Sequence, residues 1–190
     1  MAADYVRMGC AEVKKMKQPA GNVKEASSKA ILVVGGGMSG MTAALEIAET
    51  GYEVVLVEKT GALGGMAGKL WKRQPFKAPY AEAQDTGVAD MAAKVSSHPM
   101  IKLHLNSTLA ETSGAPGRFT VKIAQLSDQV GGAVSEATVG AIVQATGFTP
   151  YDMAKLPELG GGQPNVVDQA GLEALAKAAN GGATKRTDGK

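Results

Sequence analysis

Cysteine is almost missing from this chain of 190 residues, where Cys10 stands alone. One thiol cannot close an internal disulfide, and it cannot by itself ligate an iron–sulfur cluster or a zinc ion. No metal site is therefore expected, and a reducing cytoplasm is the expected location. Histidine is nearly as scarce: His98 and His104 are the only two. His98 precedes Pro99 in an expected loop and His104 alternates on an expected strand, so both are read as structural or solvent-facing. With Cys10 on an expected helix, no nucleophile or acid–base constellation emerges and no catalytic residue is assigned. No apolar stretch approaches the roughly 18 residues of a membrane helix, so no direct membrane span is expected. The opening Met1-Ala2-Ala3-Asp4-Tyr5-Val6 lacks the apolar centre of a signal peptide. A formal net charge of +2 is too small to suggest nucleic acid, and no nucleic-acid motif is present.

Glycine is plentiful, at 25 residues, and its placement carries the most information. Ala30 to Val34 is an unbroken apolar run, suited to a parallel strand buried on both faces. Gly35-Gly36-Gly37-Met38-Ser39-Gly40 follows. In such a turn Gly35 permits the reversal, Gly37 lets backbone approach a pyrophosphate, and Gly40 lets the next helix pack close. That helix is expected from Met38 to Thr50, with Met41, Ala44, Leu45 and Ala48 on its buried face and Gly51 as its left-handed cap. A second strand, Glu53 to Val57, ends at Glu58. The acid lies 58 − 40 = 18 positions after the last glycine. This spacing suits a carboxylate that accepts from the ribose hydroxyls of an adenosine and that repels a 2′-phosphate. The helix N-terminus, with free N–H groups and a positive dipole end, favours the diphosphate between.

NAD and FAD share this first unit. Two later segments favour FAD. Gly64-Gly65-Met66 follows the acid-ended strand and can bring more backbone against a long dinucleotide. Val139 to Gly147 reads as a buried strand ending in Ala145-Thr146-Gly147, whose small side chains allow approach to the cofactor. The expected cofactor site is thus Gly35, Gly37, Met38, Ser39, Gly40, Glu58, Lys59, Gly64, Gly65, Met66, Ala145, Thr146 and Gly147, and the expected cofactor is FAD.

Val57-Glu58-Lys59, Leu63-Gly64-Gly65-Met66-Ala67 and Ala145-Thr146-Gly147-Phe148-Thr149-Pro150-Tyr151-Asp152 together resemble the heterodisulfide reductase A-like flavoproteins. Leu159-Gly160, Pro164-Asn165-Val166 and Lys185 to Lys190 match the same pattern. So do Tyr5-Val6-Arg7-Met8 and Lys15 to Pro19, which resemble the helix and linker that precede the FAD domain there. The resemblance covers nearly the whole chain and implies an FAD-dependent oxidoreductase subunit. It also implies electron transfer with iron–sulfur or haem-containing subunits of a larger complex. Many members carry cysteines after the glycine pair. Here Lys69 to Tyr80 is cysteine-free, basic and aromatic, and looks more like the B subunit of the quinone-interacting (Qmo) oxidoreductase complexes. Lys69, Lys72, Arg73 and Lys77, interleaved with Trp71, Phe76 and Tyr80, read either as a solvated loop or as a lid or docking surface near the flavin that attracts an acidic partner or stabilises anionic reduced flavin. No second Gly-x-Gly-x-x-Gly occurs, and the chain stops before the Gly-Asp segment that completes FAD contacts in the superfamily. A fragment, a split subunit or a truncated chain is the resulting expectation. Two other readings stay open: a small-molecule FAD oxidoreductase lacking its substrate domain, and a non-catalytic nucleotide-binding scaffold.

The expected fold is α/β, a Rossmann-like FAD-binding domain with a central parallel sheet and a small antiparallel insertion. Residues 1–29 are an N-terminal helix and linker, the helix over 1–17 carrying Tyr5, Val6, Met8, Val13 and Met16 roughly on one side. Residues 30–180 are the domain, incomplete as it stands, and 181–190 a flexible tail. Within the domain a helix is expected over Asp85–Ser97 and a strand over Ile101–Leu105. Ser107–Glu111 and Phe119–Ala124 are expected to pair around the turn signal Gly114-Ala115-Pro116-Gly117. A loop at Gly131-Gly132, a flexible break at Gly160–Gly162 and a helix over Asp168–Ala179, with Leu172, Leu175 and Ala176 on its apolar face, complete the path.

Overall fold

The computed structural model describes residues 1–17, 27–126 and 133–185. The loop expected at Gly131-Gly132 lies outside them, as do residues 18–26 of the expected linker and 186–190 of the tail. The described residues form seven strands and four α-helices, with two of the helices, a parallel sheet and an antiparallel sheet stacked in three layers.

The central layer is a parallel sheet of β1 (Ile31–Val34), β2 (Val54–Val57), β3 (Ile101–His104) and β7 (Ala141–Gln144), in the order β3-β2-β1-β7. Parallel neighbours need crossovers, and α2 (Met38–Glu49) and α3 (Val88–Ser97) provide those from β1 to β2 and from β2 to β3. The alternation of side chains along each strand then decides the layers. Val33, Val54 and Leu56 turn toward the helices and pack with Met41, Ala44, Ala48, Val88 and Val95. Leu32 and Val57 turn the other way and pack with Val121, Ile123 and Val139 of a second sheet. That sheet is an antiparallel meander of β4 (Ser107–Ala115), β5 (Arg118–Gln125) and β6 (Val134–Val139). Burying each such aliphatic side chain contributes roughly 1.5–3 kcal/mol, so both faces of a four-residue strand matter to stability.

The helical periodicity of α2 holds: Met41, Ala44 and Ala48 are buried, Leu45 is half-buried, and Gly51 has the left-handed φ of +88°. The strand expected from Val139 onward is two strands. Gly140 divides β6 in the outer sheet from β7 in the central one. Its N–H donates to Ala30 O at 2.8 Å, its carbonyl accepts from Gly117 N–H at 2.9 Å, and a Cβ there would run into the Ser28 carbonyl oxygen. Apolar continuity disguised the corner, and it also overstated the burial: Val139 of β6 is buried, but β7 is an edge strand whose Ile142 and Val143 are half-buried and whose Ala141 and Gln144 are exposed.

Three further boundaries differ from expectation. α3 starts at Val88 because Asp85 turns back to accept from Gly87 N–H at 2.7 Å. The hairpin closes later than its first strand suggested, at Pro116-Gly117, with a register shift between Leu109 and Glu111. Gly160–Gly162 is a hydrogen-bonded turn, not a loose break: Gly160 and Gly161 N–H donate to Pro157 and Leu156 carbonyls, both at 3.0 Å. The apolar side expected on α1 (Ala2–Lys15) exists in the sequence, but Tyr5, Val6, Met8, Val13 and Met16 are all exposed. α4 (Gln169–Ala179) begins at its N-cap Asp168, which accepts from Gly171 N–H at 2.7 Å, and leaves Leu172 exposed.

Gly140→Ala is expected to destabilise the protein by about 1–3 kcal/mol, the usual range for forcing atoms into a packed site. Urea denaturation with and without the substitution measures it; an unchanged midpoint would show that the corner has room.

Candidate functional site

β1 sits where the winding reverses. Its outgoing connection, α2, lies on one face of the central sheet, while β7 arrives from the antiparallel layer on the other. The crevice beyond the C-terminal ends of β1 and β7 is the place where open α/β sheets bind ligands. The Gly35–Gly40 turn fills one side of it.

Close approach fixes that turn. Gly35 has φ +108°, and a Cβ on it would meet the Ala145 carbonyl oxygen. A Cβ on Gly40 would strike Gly35 O and come within 3.4 Å of the Ala145 Cβ. The strand end at Ala145, tied to β1 by its N–H to Val34 O at 2.8 Å, is therefore packed directly under the turn and the helix. Gly37 is the opposite case. Its φ is −74°, which any residue adopts, and a Cβ on it would have nothing within 4 Å. The protein itself gives no reason for glycine there. It faces open space in front of α2, whose N-terminus has no side-chain cap and no acid in its first turn. Uncapped first-turn N–H groups of Met38, Ser39 and Gly40 face the same side, an arrangement that suits a phosphate.

Glu58 closes the second side. It is only 7% exposed, yet charged. One carboxylate oxygen, Oε2, accepts from Gly36 N–H at 2.6 Å. The other, Oε1, accepts from Thr60 N–H at 2.8 Å and lies 2.7 Å from the Thr60 hydroxyl. Burial pushes its pKa up, but these hydrogen bonds and the charge of Lys59 outweigh burial and hold it below its ordinary value. Backbone bonds fix the strand end as well, from Glu58 N–H to His104 O at 2.8 Å and from Ser107 N–H to Glu58 O at 2.9 Å.

The glycine pair joins the first turn. Gly64 N–H donates to Gly36 O at 2.8 Å, Gly37 and Gly64 form an isolated parallel bridge, and a Cβ on Gly65 would lie 3.0 Å from the Gly37 Cα. Thus Gly35, Gly37, Met38, Ser39, Gly40, Glu58, Gly64, Gly65 and Ala145 converge on one crevice. Lys59, Thr146 and Gly147 are exposed at its margins, and Met66 is half-buried beyond the glycine pair. Sequence reasoning left out Gly36 as a donor, and Thr60. The only signal for Thr60 was a hydroxyl two residues after a strand-ending acid.

The basic loop begins against this crevice. Gly68 N–H donates to Gly64 O at 3.2 Å, and α4 holds the segment through Glu173, which accepts from Trp71 N–H at 2.8 Å, and Lys177, which donates to Gly68 O at 3.3 Å. Reciprocal 2.8 Å bonds between Arg73 and Gln84 close its base. Lys72 lies over the Trp71 ring and Arg73 over Phe76, while Phe76 and Tyr80 remain exposed. The histidines are apart from the crevice's open side. His98 Nδ1 accepts from Met100 N–H at 3.2 Å, and burial together with Lys102 lowers the His104 pKa. Cys10 is exposed on α1. Among the described residues no group of side chains could hold a metal ion, and no helix is long and apolar enough to cross a membrane.

The protein family described as FAD dependent oxidoreductase matches residues 30–125. The iron–sulfur A 2 subunit of the CoB–CoM heterodisulfide reductase of Methanopyrus kandleri is 38% identical over 125 residues, 64% of this chain and 18% of that protein. The A subunit of the ferredoxin/F(420)H(2)-dependent CoB–CoM heterodisulfide reductase of Methanosarcina acetivorans is 32% identical over 122 residues, again 64% of this chain and 15% of that protein. The chain therefore spans less than a fifth of the length of these relatives. Among solved structures, L-proline dehydrogenase from P. horikoshii is 23% identical, with a TM-score of 0.49, covering 68% of this chain and 25% of that one.

The Glu58 pKa gives a signed prediction. A folded-state value below 4.5 means that charged Glu58 stabilises the fold above that pH, and that the contribution is lost as pH falls through the lower folded value. Between about pH 5 and pH 3 the urea midpoint of the wild type should fall more steeply than that of Glu58→Gln. Parallel slopes would mean that Glu58 titrates as an ordinary exposed acid.

Proposed function

The chain belongs to the FAD-dependent oxidoreductase family, and from that premise we propose that it is an FAD-binding electron-transfer subunit of a multi-subunit oxidoreductase of the heterodisulfide reductase A type. The observation that carries the reading is the relation to the A subunits of heterodisulfide reductases, at 38% identity over 125 residues and 32% over 122. Bound FAD supplies the redox chemistry. The residues of this chain bind and orient it: the α2 N-terminus and Gly37 receive the diphosphate, Glu58 receives ribose hydroxyls, and Gly64-Gly65 and Ala145 to Gly147 border the remainder. The fit rests on Gly37, whose missing side chain leaves space that no protein atom uses.

One cysteine cannot hold a cluster within these 190 residues, and in this reading electrons pass to iron–sulfur or haem groups of partner subunits. The cysteine-free basic loop supports kinship with the B subunits of the quinone-interacting complexes, and its cations would favour an acidic redox partner. A reducing cytoplasm is the compartment this reading implies.

Two glycines separate cofactor binding from folding. Gly37→Ala should leave stability within about 1 kcal/mol of wild type, while FAD affinity, followed by flavin fluorescence, drops at least tenfold because the methyl occupies the diphosphate's approach. Gly40→Ala should instead cost stability, since its methyl meets Gly35. Undiminished FAD binding by Gly37→Ala would displace the diphosphate from this turn. Purification of the native complex tests the wider reading: yellow protein that releases FAD on denaturation, together with iron–sulfur or haem subunits, is expected. Colourless protein that cannot be reconstituted with FAD would leave only a scaffold role.

A further inference from the structure

The hydrogen bonds around Glu58 form a closed circuit. Gly36 N–H donates to Glu58 Oε2, and Oε1 lies 2.7 Å from the Thr60 hydroxyl. That hydroxyl oxygen is also 2.8 Å from the Ala62 carbonyl oxygen. Two residues on, Gly64 N–H donates back to Gly36 O at 2.8 Å. One end of the circuit is the carboxylate, and the other is the glycine pair that borders the same crevice.

A threonine hydroxyl has one proton, so it can serve only one of these two acceptors at a time. A carboxylate offers about four acceptor positions. Gly36 N–H and Thr60 N–H occupy two of them whatever the hydroxyl does. The hydroxyl thus decides whether Glu58 holds a third internal donor or keeps two positions for an incoming ligand.

We propose that Thr60 is a positioning residue for cofactor binding: its hydroxyl steadies Glu58 before the ribose arrives, then turns to Ala62 O as ribose hydroxyls take its place. This rests on the FAD reading of the crevice. The exchange keeps Glu58 supplied with donors in both states. It also ties arrival of the ribose to anchoring of residues 61–65, and so to the second stretch of backbone that borders the cofactor. Among the side chains of the described residues, Thr60 is the one that hydrogen-bonds Glu58. The titratable groups facing this region are Lys59 beside Glu58 and His104 at the end of β3, whose pKa burial and Lys102 lower; Gly35–Gly40 and Gly61–Met66 contain no titratable side chain.

Thr60→Val removes the proton but keeps the shape, and Thr60→Ser keeps the proton. In the full chain, Thr60→Val should bind FAD about fivefold more tightly, because the free protein loses a hydrogen bond to a charged group while the bound one loses only a bond to a neutral carbonyl; weaker binding would overturn the exchange. Thr60→Ser should return affinity to the wild-type value. A second readout needs no FAD. The Glu58 carboxyl midpoint, followed by carbon NMR and assigned by its absence in Glu58→Gln, should rise in Thr60→Val and be restored in Thr60→Ser. Thr60→Ala serves wherever valine disturbs folding, as judged by circular dichroism. An unmoved midpoint with wild-type affinity in Thr60→Val overturns the proposal, as does a serine variant that behaves like valine. Failure of the wild-type chain to take FAD would count against the cofactor reading instead, because the Glu58 midpoint is read without it.

Discussion

A buried carboxylate at the end of β2 holds the crevice together. Glu58 carries its charge into a place that is almost closed to water, which is costly unless donors surround it. Gly36 and Thr60 supply those donors, and in doing so they fix three segments at once: the turn after β1, the end of β2 and the start of the loop to the glycine pair. The strand end is also stitched to His104 and Ser107, so the outer sheet begins in register with the same point. Remove the charge and each of these segments loses a reason to be where it is. The electrostatic solution of one side chain is thus the geometric definition of the cradle.

That cradle was largely legible in the sequence, for a physical reason. Glycine positions with contact constraints, an uncapped helix start and a strand-ending acid are local features, readable at fixed spacing without tertiary knowledge. α2 and its buried face followed from 3.6-residue periodicity alone. What could not be read depended on neighbours distant in sequence or on the direction a side chain takes. Gly140 was hidden inside an apolar run, because its role depends on Ser28 and Gly117 lying beside it. Thr60 looked like any loop threonine until Glu58 and Ala62 were seen on either side of its hydroxyl. The apolar side of α1 was visible as a pattern, but the pattern alone could not tell that no described residue covers it.

The segment between the glycine pair and α3 shows how a loop poor in regular structure is still held. Its first turn leans on Gly64, its base closes through Arg73 and Gln84, and α4 reaches back to it with one acid and one lysine over a hundred residues later. Its cations rest on its own aromatic rings, so charge is presented from a supported surface and not from free side chains. The late helix, which adds little to the core, has its clearest purpose in supporting this wall of the crevice.

The corner at Gly140 places the two sheets in series. β6 and β7 are separated by that one residue, so there is no slack between the outer sheet and the strand that delivers Ala145 to the turn. The hairpin tip at Pro116-Gly117 is tied to that corner, Gly117 N–H donating to Gly140 O at 2.9 Å, so it shares the constraint. An insertion at 140 would slide β7 by one position and send every side chain on it to the opposite face. Ala145 would leave the underside of the glycine turn, and a bulkier neighbour could arrive in its place. The length of this connection is therefore as strictly set as the glycines themselves, although no motif marks it.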